Sequence, residues 1–406
     1  MYNFKIGISA KEHDEFIKKQ PLCNLLQSSS WAKVKDNWDS VIAGVYDDKE
    51  LIASSLILIK KLPLGFTMFY TPRGPIMDYE NERLVKYFIQ ELKKYAKTKH
   101  CLFIKMDPAI HYNDYPIDGK NDNHYDVTKI LENMKKAGAI HQGFADTIAE
   151  VIQPRYQANV YKSDTFENDL PKHTKRLMKD AIKHHVNVYK ADRSQLKEFS
   201  AVVALTEERK QVNLRNEEYF EQLMDIYGDD ACLFLGEVNI VESLEEMYKL
   251  KAANDKELAE TDEKSRKKLT RLNDIDKSLT KSIKEFEVFK DEYLEKTVIA
   301  GVLSIKFGNT MEMLYAGMND KFKKFMPQYL IYVENMKYAF ENGCDFANMG
   351  GVEGDLCDGL TKFKSNFNPM INEFIGEFDI PVNKLLYGLS EWAYKVRKAR
   401  HASSKE

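Results

Sequence analysis

The residue types best suited to chemistry in this chain lie in Asn348-Met-Gly-Gly-Val-Glu-Gly-Asp-Leu-Cys-Asp-Gly-Leu-Thr-Lys-Phe-Lys-Ser-Asn-Phe-Asn-Pro369. An apolar run, Cys344 to Asn348, predicts a strand leading into it. Gly350, Gly351, Gly354 and Gly359 follow, and then Lys362, Phe363, Lys364 and Phe367. Glycine lets a backbone lie close to another group, and lysines attract anions. Such a loop suits an extended, anionic or peptide-like ligand. A surface loop with turn glycines and a solvated lysine pair would read the same way, and no glycine spacing here is a nucleotide fingerprint.

Three further constellations could bind or react. Ser28 to Ser30 offer N-caps for a short helix near Trp31, which puts Trp31, Lys35 and Trp38 near one face. A lysine between two tryptophans can hold a phosphate or a sugar; the tryptophans can equally be core. Asp107 stands just past the predicted strand Cys101 to Met106, where open α/β sheets place ligands. An Asp-Pro pair also simply starts turns. On a predicted helix from Pro171 to His185, Lys172, Lys175, Arg176, Lys179 and Lys183 share a face. That stripe is either a nucleic-acid or phosphate surface or a solvated helix face. No Walker loop, G-x-S-x-G elbow, HExxH or metal cluster is present. An enzyme built from these parts would position two substrates and stabilise charge, with no metal and no cofactor.

The elements that must position these residues alternate strand and helix. Val41 to Tyr46 and Leu51 to Leu62 predict a hairpin, Phe66 to Tyr70 a third strand, and Glu82 to Lys97 an amphipathic helix. Tyr112 to Asn123 reads as polar and turn-rich. After a helix near Val127 to Ala137, a second series opens around Ile152 to Tyr161. It continues through helices at Ser194 to Glu208 and Glu217 to Tyr227, a strand at Ala231 to Val238, strands at Val298 to Phe307 and Met311 to Tyr315, and a helix at Pro327 to Glu341. A last strand is expected over Ile371 to Phe378. From Val382 the tail predicts an amphipathic helix that is basic at its end.

Residues from about Val241 to Lys296 differ in character: charged, without Pro or Gly, and with Leu272, Ile275, Leu279, Phe286, Phe289 and Tyr293 in heptad spacing. The pattern is that of a coiled coil. One helix of that length would separate the flanking strands by about 80 Å, so an antiparallel hairpin turning near Thr261 to Lys267 is expected. Without it, the order hairpin, strand, helix, strand at 41–106 recurs at 231–348. Two duplicated α/β (α+β) units follow, with a helical arm inserted where the first copy has a hairpin turn. The expected divisions are 1–150, 151–239 with 297–379, the arm 240–296, and the tail 380–406.

The chain has 406 residues, 43% hydrophobic, and a formal net charge of −3. That bounds it to two or three globular domains and excludes a generic nucleic-acid binder; no DNA partner is expected. Five scattered cysteines without a Cys-x-x-Cys pair argue against a disulfide framework and for free thiols in a reducing, cytoplasmic setting. No signal peptide is read at Met1, and no window suits a membrane span.

In Leu26 to Trp38, Tyr70-Thr-Pro-Arg-Gly-Pro-Ile-Met-Asp78, Leu214-Arg-Asn-Glu-Glu-Tyr-Phe220, and the glycine loop through Pro369, the chain resembles the Fem family (FemABX) of peptidyl-aminoacyltransferases, and within it the MurM-like branch. The resemblance covers essentially the whole sequence, arm included. It implies two GNAT-like domains, with the coiled-coil hairpin in the second. It implies transfer of Ala, Ser or Gly from an aminoacyl-tRNA to the stem-peptide lysine amine of lipid II, or to an already branched lipid II. Lys35 and Arg215, with Trp38 beside them, would hold the substrate's diphosphate. Tyr219 and Tyr315 would line the same cleft, Asp107 would stand near the acceptor amine, and Lys364 would stabilise charge at the reacting ester. The Lys172–Lys183 stripe and the arm would meet tRNA. By its own composition the basic amphipathic tail suits either the inner face of an anionic membrane or, more commonly, docking of its apolar face on the protein. Acetyl-CoA is not implied, because the pyrophosphate loop of true acetyltransferases is missing. A non-catalytic scaffold or immunity factor of the same fold is the alternative.

Overall fold

The computed structural model describes residues 1–119, 124–210 and 215–388. Strands in those residues form two eight-stranded sheets. β1 (Tyr2–Ile6), β2 (Asp39–Asp47), β3 (Glu50–Lys61), β4 (Thr67–Thr71), β5 (Ile76–Met77) and β6 (Cys101–Met106) belong to the first. β7 (His111–Pro116) leaves it for the second sheet, and β8 (Ile140–His141) returns to the first. The second sheet then takes β9 (Tyr156–Tyr161), β10 (Asn187–Ala191), β11 (Ala231–Val238), β12 (Thr297–Phe307), β13 (Thr310–Met318), β14 (Phe346–Val352) and β15 (Met370–Phe374). Finally β16 (Phe378–Pro381) crosses back to pair with β6 and β8.

Each sheet contains the same run. Antiparallel β1–β2–β3–β4 is followed by a parallel β4–β6 pair. Antiparallel β10–β11–β12–β13 is followed by a parallel β13–β14 pair. A parallel step needs a crossover, and a helix supplies it in both copies: Glu82–Thr98 and Pro327–Glu341. The first begins where the Asn81 side chain accepts from the Leu84 N–H. It buries Leu84, Val85, Phe88, Ile89 and Leu92 against its sheet. The second begins with Pro327, which needs no N–H partner at the first helical position, and buries Ile331, Val333, Met336 and Ala339.

The segment inserted between β11 and β12 folds as two helices, Ile240–Glu260 and Arg266–Glu287. Cross-contacts fix their direction. The Tyr248 hydroxyl donates to Glu287, Lys251 pairs with Asp276, the Asn254 amide donates to the Leu272 carbonyl, and Lys268 pairs with Glu257. One partner's number rises as the other's falls, so the helices run antiparallel, as the spacing requires. Leu272, Ile283 and Phe286 are buried between them and the body, whereas Ile275 is exposed. The heptad reading passed over Ile283, which stands next to the polar Ser282. At the arm's base Phe286 stacks on Phe325 with ring centres 4.8 Å apart, and His184 stacks on Phe325 at 4.6 Å.

Several expectations change. The polar stretch after Tyr112 contains a true strand, β7, paired along β15. Its alternation of polar and aromatic residues hid it. The single strand expected over Ile371 to Phe378 is two, broken at Gly376. That residue has φ +95, and a Cβ there would sit 3.0 Å from the Gly143 carbonyl, so only glycine makes the turn. β14 runs on through Gly350 and Gly351, so those glycines are strand residues and the loop starts after Val352. The sheets therefore do not divide at 150 and 379 as expected: β7 and β16 have traded places. In the tail, Leu389 and all residues beyond it, including Trp392, Lys395 and Arg400, lie outside the described residues, as does Leu214. Among the described residues no helix is long and apolar enough to cross a membrane.

Candidate functional site

A short helix, Trp31–Val34, ends at Lys35 and projects the residues singled out by spacing into a cleft of about 480 Å³. Trp31, Lys35, Trp38, Tyr70, Gln153, Arg215 and Tyr219 are among its walls. The Lys35 ammonium sits over the Trp31 ring at 5.4 Å, and the Arg215 guanidinium over Tyr219 at 4.8 Å. Burial, and then the like charge of Arg215, hold the Lys35 pKa below the ordinary lysine value. A lysine whose charge is disfavoured by burial and by a second cation across an aromatic-walled cleft makes a site that an anion would relieve.

Tyr219 shares its hydroxyl with Tyr315 at 3.1 Å, and Tyr315 stands behind it against Phe220 rather than in the wall. Burial raises the Tyr219 pKa far above the usual phenol range, so it serves as a neutral hydrogen-bonding wall.

Asp107 is not in the wall either. It is 2% exposed, and Tyr70 lies between it and the cleft. The Tyr70 hydroxyl donates to Asp107 Oδ2 at 2.7 Å, and the Arg73 N–H donates to Oδ1 at 2.7 Å. Burial pushes the Asp107 carboxyl up to about 6, against the opposing pull of Arg73 and Tyr70. Arg73 has φ +54, an uncommon left-handed conformation for a long side chain, and the Asp107 carboxylate caps its N–H. Its guanidinium is buried, donates to the Pro154 carbonyl and packs on the Phe374 ring at 4.5 Å.

Lys364 lies further along the same seam. The Asp358 side chain caps the helix Gly359–Lys364, which delivers Lys364 to the back of β14. There its ammonium, 3% exposed, donates to the Gly351 carbonyl at 2.7 Å. Gly351 is required: a Cβ would lie 2.4 Å from the Pro154 ring. The Gly350 N–H donates to Asn348 Oδ1 at 2.7 Å. Hydrogen bonds thus run from Tyr70 through Asp107 and Arg73 to the Pro154 carbonyl, and the Pro154 ring packs against Gly351, where Lys364 is held.

The basic stripe lies elsewhere. Lys172, Arg176, Lys179 and Lys183 are exposed on one face of the helix Lys172–Lys183, opposite buried Thr174, Leu177 and Ala181. Lys175 turns back to donate to the Asn168 carbonyl. None of the five lines the cleft.

Tyr70, Arg73 and Gln153 were missed as site residues, although Tyr70 and Arg73 lie inside a segment that carried the resemblance. The available signal was an arginine between two prolines at a strand's end, which cannot be left in a core without a carboxylate.

A sequence profile described as the FemAB family matches residues 8–395. The lipid II:glycine glycyltransferase of Staphylococcus aureus strain MRSA252 is 30% identical over 411 residues, covering 95% of each chain, and that of strain N315 matches equally well. This chain belongs to the FemAB family. The crystal structure of FemX superposes with a TM-score of 0.79 at 28% identity, covering 95% of this chain and 99% of that one. A tandem GNAT protein from the clavulanic acid biosynthesis pathway superposes with a TM-score of 0.50 at 6% identity, covering 94% of this chain and 99% of that one. At that identity the likeness speaks for the fold alone: a mixed α/β chain of two GNAT-like halves.

Proposed function

We propose that this family member is an aminoacyltransferase acting on lipid II, with an aminoacyl-tRNA as donor and the stem-peptide lysine side-chain amine as acceptor. The observation that carries the reading is the Lys35–Arg215 pair facing one aromatic cleft, a site suited to the diphosphate of such a substrate. The relatives' names favour glycine over alanine or serine as the residue moved.

The reaction asks little of covalent catalysis. The acceptor amine forms a C–N bond to the ester carbonyl carbon, the ester C–O bond breaks, and the tRNA terminal hydroxyl leaves with a proton. The amine must lose a proton on the way. Tyr70 and Asp107 form a hydrogen-bonded pair that reaches the cleft wall, with the carboxyl near 6, suited to relaying that proton at neutral pH. Lys364, held at Gly351, is proposed to stabilise negative charge developing on the ester oxygen once both substrates are seated. Exposed Lys172, Arg176, Lys179 and Lys183 are proposed to meet the tRNA backbone, along with the arm.

The test is transfer of labelled glycine, alanine and serine from their charged tRNAs to lipid II by the purified protein. Transfer of one residue, located by mass spectrometry on the lysine amine, supports the reading. Transfer only to pre-branched lipid II would make it a later bridge enzyme. No transfer to either acceptor sinks the reading and favours the scaffold alternative.

A further inference from the structure

A second cavity, of about 250 Å³, opens on the β13–β14 side of the second sheet, and its character is opposite to that of the cationic cleft. Its walls include Glu312, Asp345, Asn159, Asn348, Gln157 and His111, and no lysine or arginine among the described residues. Position explains why it exists. β13 and β14 pair in parallel only as far as Glu312 and Asn348, then diverge, so these two side chains stand where the sheet splits.

Glu312 is 9% exposed, and burial pushes its carboxyl up to about 7 despite the Arg73 charge and an Asn348 hydrogen bond. Arg73 is also the cation that opposes the burial of Asp107. One buried guanidinium is therefore shared between two buried carboxylates. Asn159 adds a second, independent deficit. Asp114 can only accept, so the Asn372 amide donates to it at 2.7 Å; Asn372 Oδ1 then accepts from Asn159 Nδ2. That chain leaves Asn159 Oδ1 buried without a donor. A bare carbonyl oxygen and an under-compensated carboxylate both call for a cationic donor.

We propose that this cavity receives a primary ammonium group of a substrate, with the Glu312 carboxylate as counter-ion and the Asn159 carbonyl oxygen as a second acceptor. The proposal rests on the transfer reading above, in which two such groups occur: the α-amino group of the donor's amino acid and the lysine side-chain amine of the acceptor. Glu312 is a positioning residue in this account.

The experiment compares the wild type with Glu312→Gln. Two amine probes, glycinamide and Nα-acetyl-lysine amide, and their fully N-acetylated counterparts are titrated by NMR. The expected result is that one amine probe binds at least about tenfold tighter than its acetylated form, and that Glu312→Gln erases the difference while Glu312→Asp retains part of it. Discrimination of glycinamide assigns the donor; discrimination of the lysine amide assigns the acceptor. In steady-state assays the KM of the assigned substrate should rise about tenfold in Glu312→Gln, with kcat changed far less. Equal binding of amine and acetylated probes by the wild type overturns the proposal, as does an unchanged KM in the substituted protein. If Glu312→Gln does not fold, the wild-type probe comparison and Glu312→Asp decide alone. Probe discrimination without any transfer by the wild type would instead overturn only the transfer reading.

Discussion

Arg215 is the residue whose loss should speak most directly about the cleft. It stacks on Tyr219 and depresses Lys35, so an anion seated there contacts both cations at once. Hydrogen bonds to charged groups contribute about 1.5–3 kcal/mol, so Arg215→Ala should raise the KM for lipid II by roughly 10- to 100-fold with a smaller fall in kcat. Steady-state kinetics at fixed tRNA check this. Tyr70→Phe removes the hydrogen bond that joins the cleft wall to Asp107, and leaves Oδ2 without that donor. Turnover should drop and the pH–rate profile should move to higher pH, because the Tyr70 hydrogen bond holds the Asp107 pKa down. Stability should also vary with pH in a particular direction. Burial raises the Asp107 carboxyl to about 6 and the Glu312 carboxyl to about 7, both above their unfolded values. Between those limits the folded state binds more protons than the unfolded one, so these groups favour the fold below about pH 4 and weaken it as pH rises towards 7. Urea melts of Glu312→Gln should therefore gain on the wild type from pH 5 to pH 7.5, by an amount on the order of a few kcal/mol at about 1.4 kcal/mol per pKa unit. Lys35, Trp38 and Asp107 were legible from spacing because each sits at the end of a short element. Glu312 was not, since an acidic residue within an apolar strand carries no sign of where its sheet will split.

Elements were legible where one period dominates. The helix Glu82–Thr98 shows a clean apolar stripe, and the arm announces itself by charge without Pro or Gly over residues 241–296, although its second helix ends earlier, at Glu287. β7 and β16 were not legible. Both are short, and their partners lie far along the chain, so local pattern says nothing about which sheet they join. The arm's attachment is an aromatic cluster: Phe286 and Phe289 from the arm meet Phe322 and Phe325 from the body. Truncating a buried phenylalanine costs about 3–5 kcal/mol, and Phe286 is fully buried. Phe286→Ala should loosen the arm before the sheets: amides in 240–287 should lose hydrogen-exchange protection while those in β12 and β13 keep theirs. If the arm serves tRNA, the same variant should raise the KM for aminoacyl-tRNA and spare that for lipid II.

At the scale of the whole molecule, the two sheets are laced together by exchanged strands. β16 brings Glu377 and Asp379 to Lys105, with ammonium-to-carboxylate distances of 3.0 and 2.8 Å, and the three groups are nearly buried. Ending the chain after Gly376 would strip β6 of a neighbour and leave Lys105 without two acids. Breaking a buried charge pair costs about 3–5 kcal/mol, so the truncated protein should show lost protection in β6 and a lower thermal midpoint, although the cut is remote in sequence. Calorimetry of the intact chain should show the two halves melting in a single transition.

The same lacing has a consequence during synthesis. Lys105 and Glu377 are 272 residues apart in the chain. A ribosome delivers the N-terminal half long before the strand that finishes its sheet. β6 must wait with an open edge, and an open edge is a template for unwanted pairing. Nascent chains stalled before residue 370 should therefore be cut by protease within β6, and chains released past residue 388 should resist.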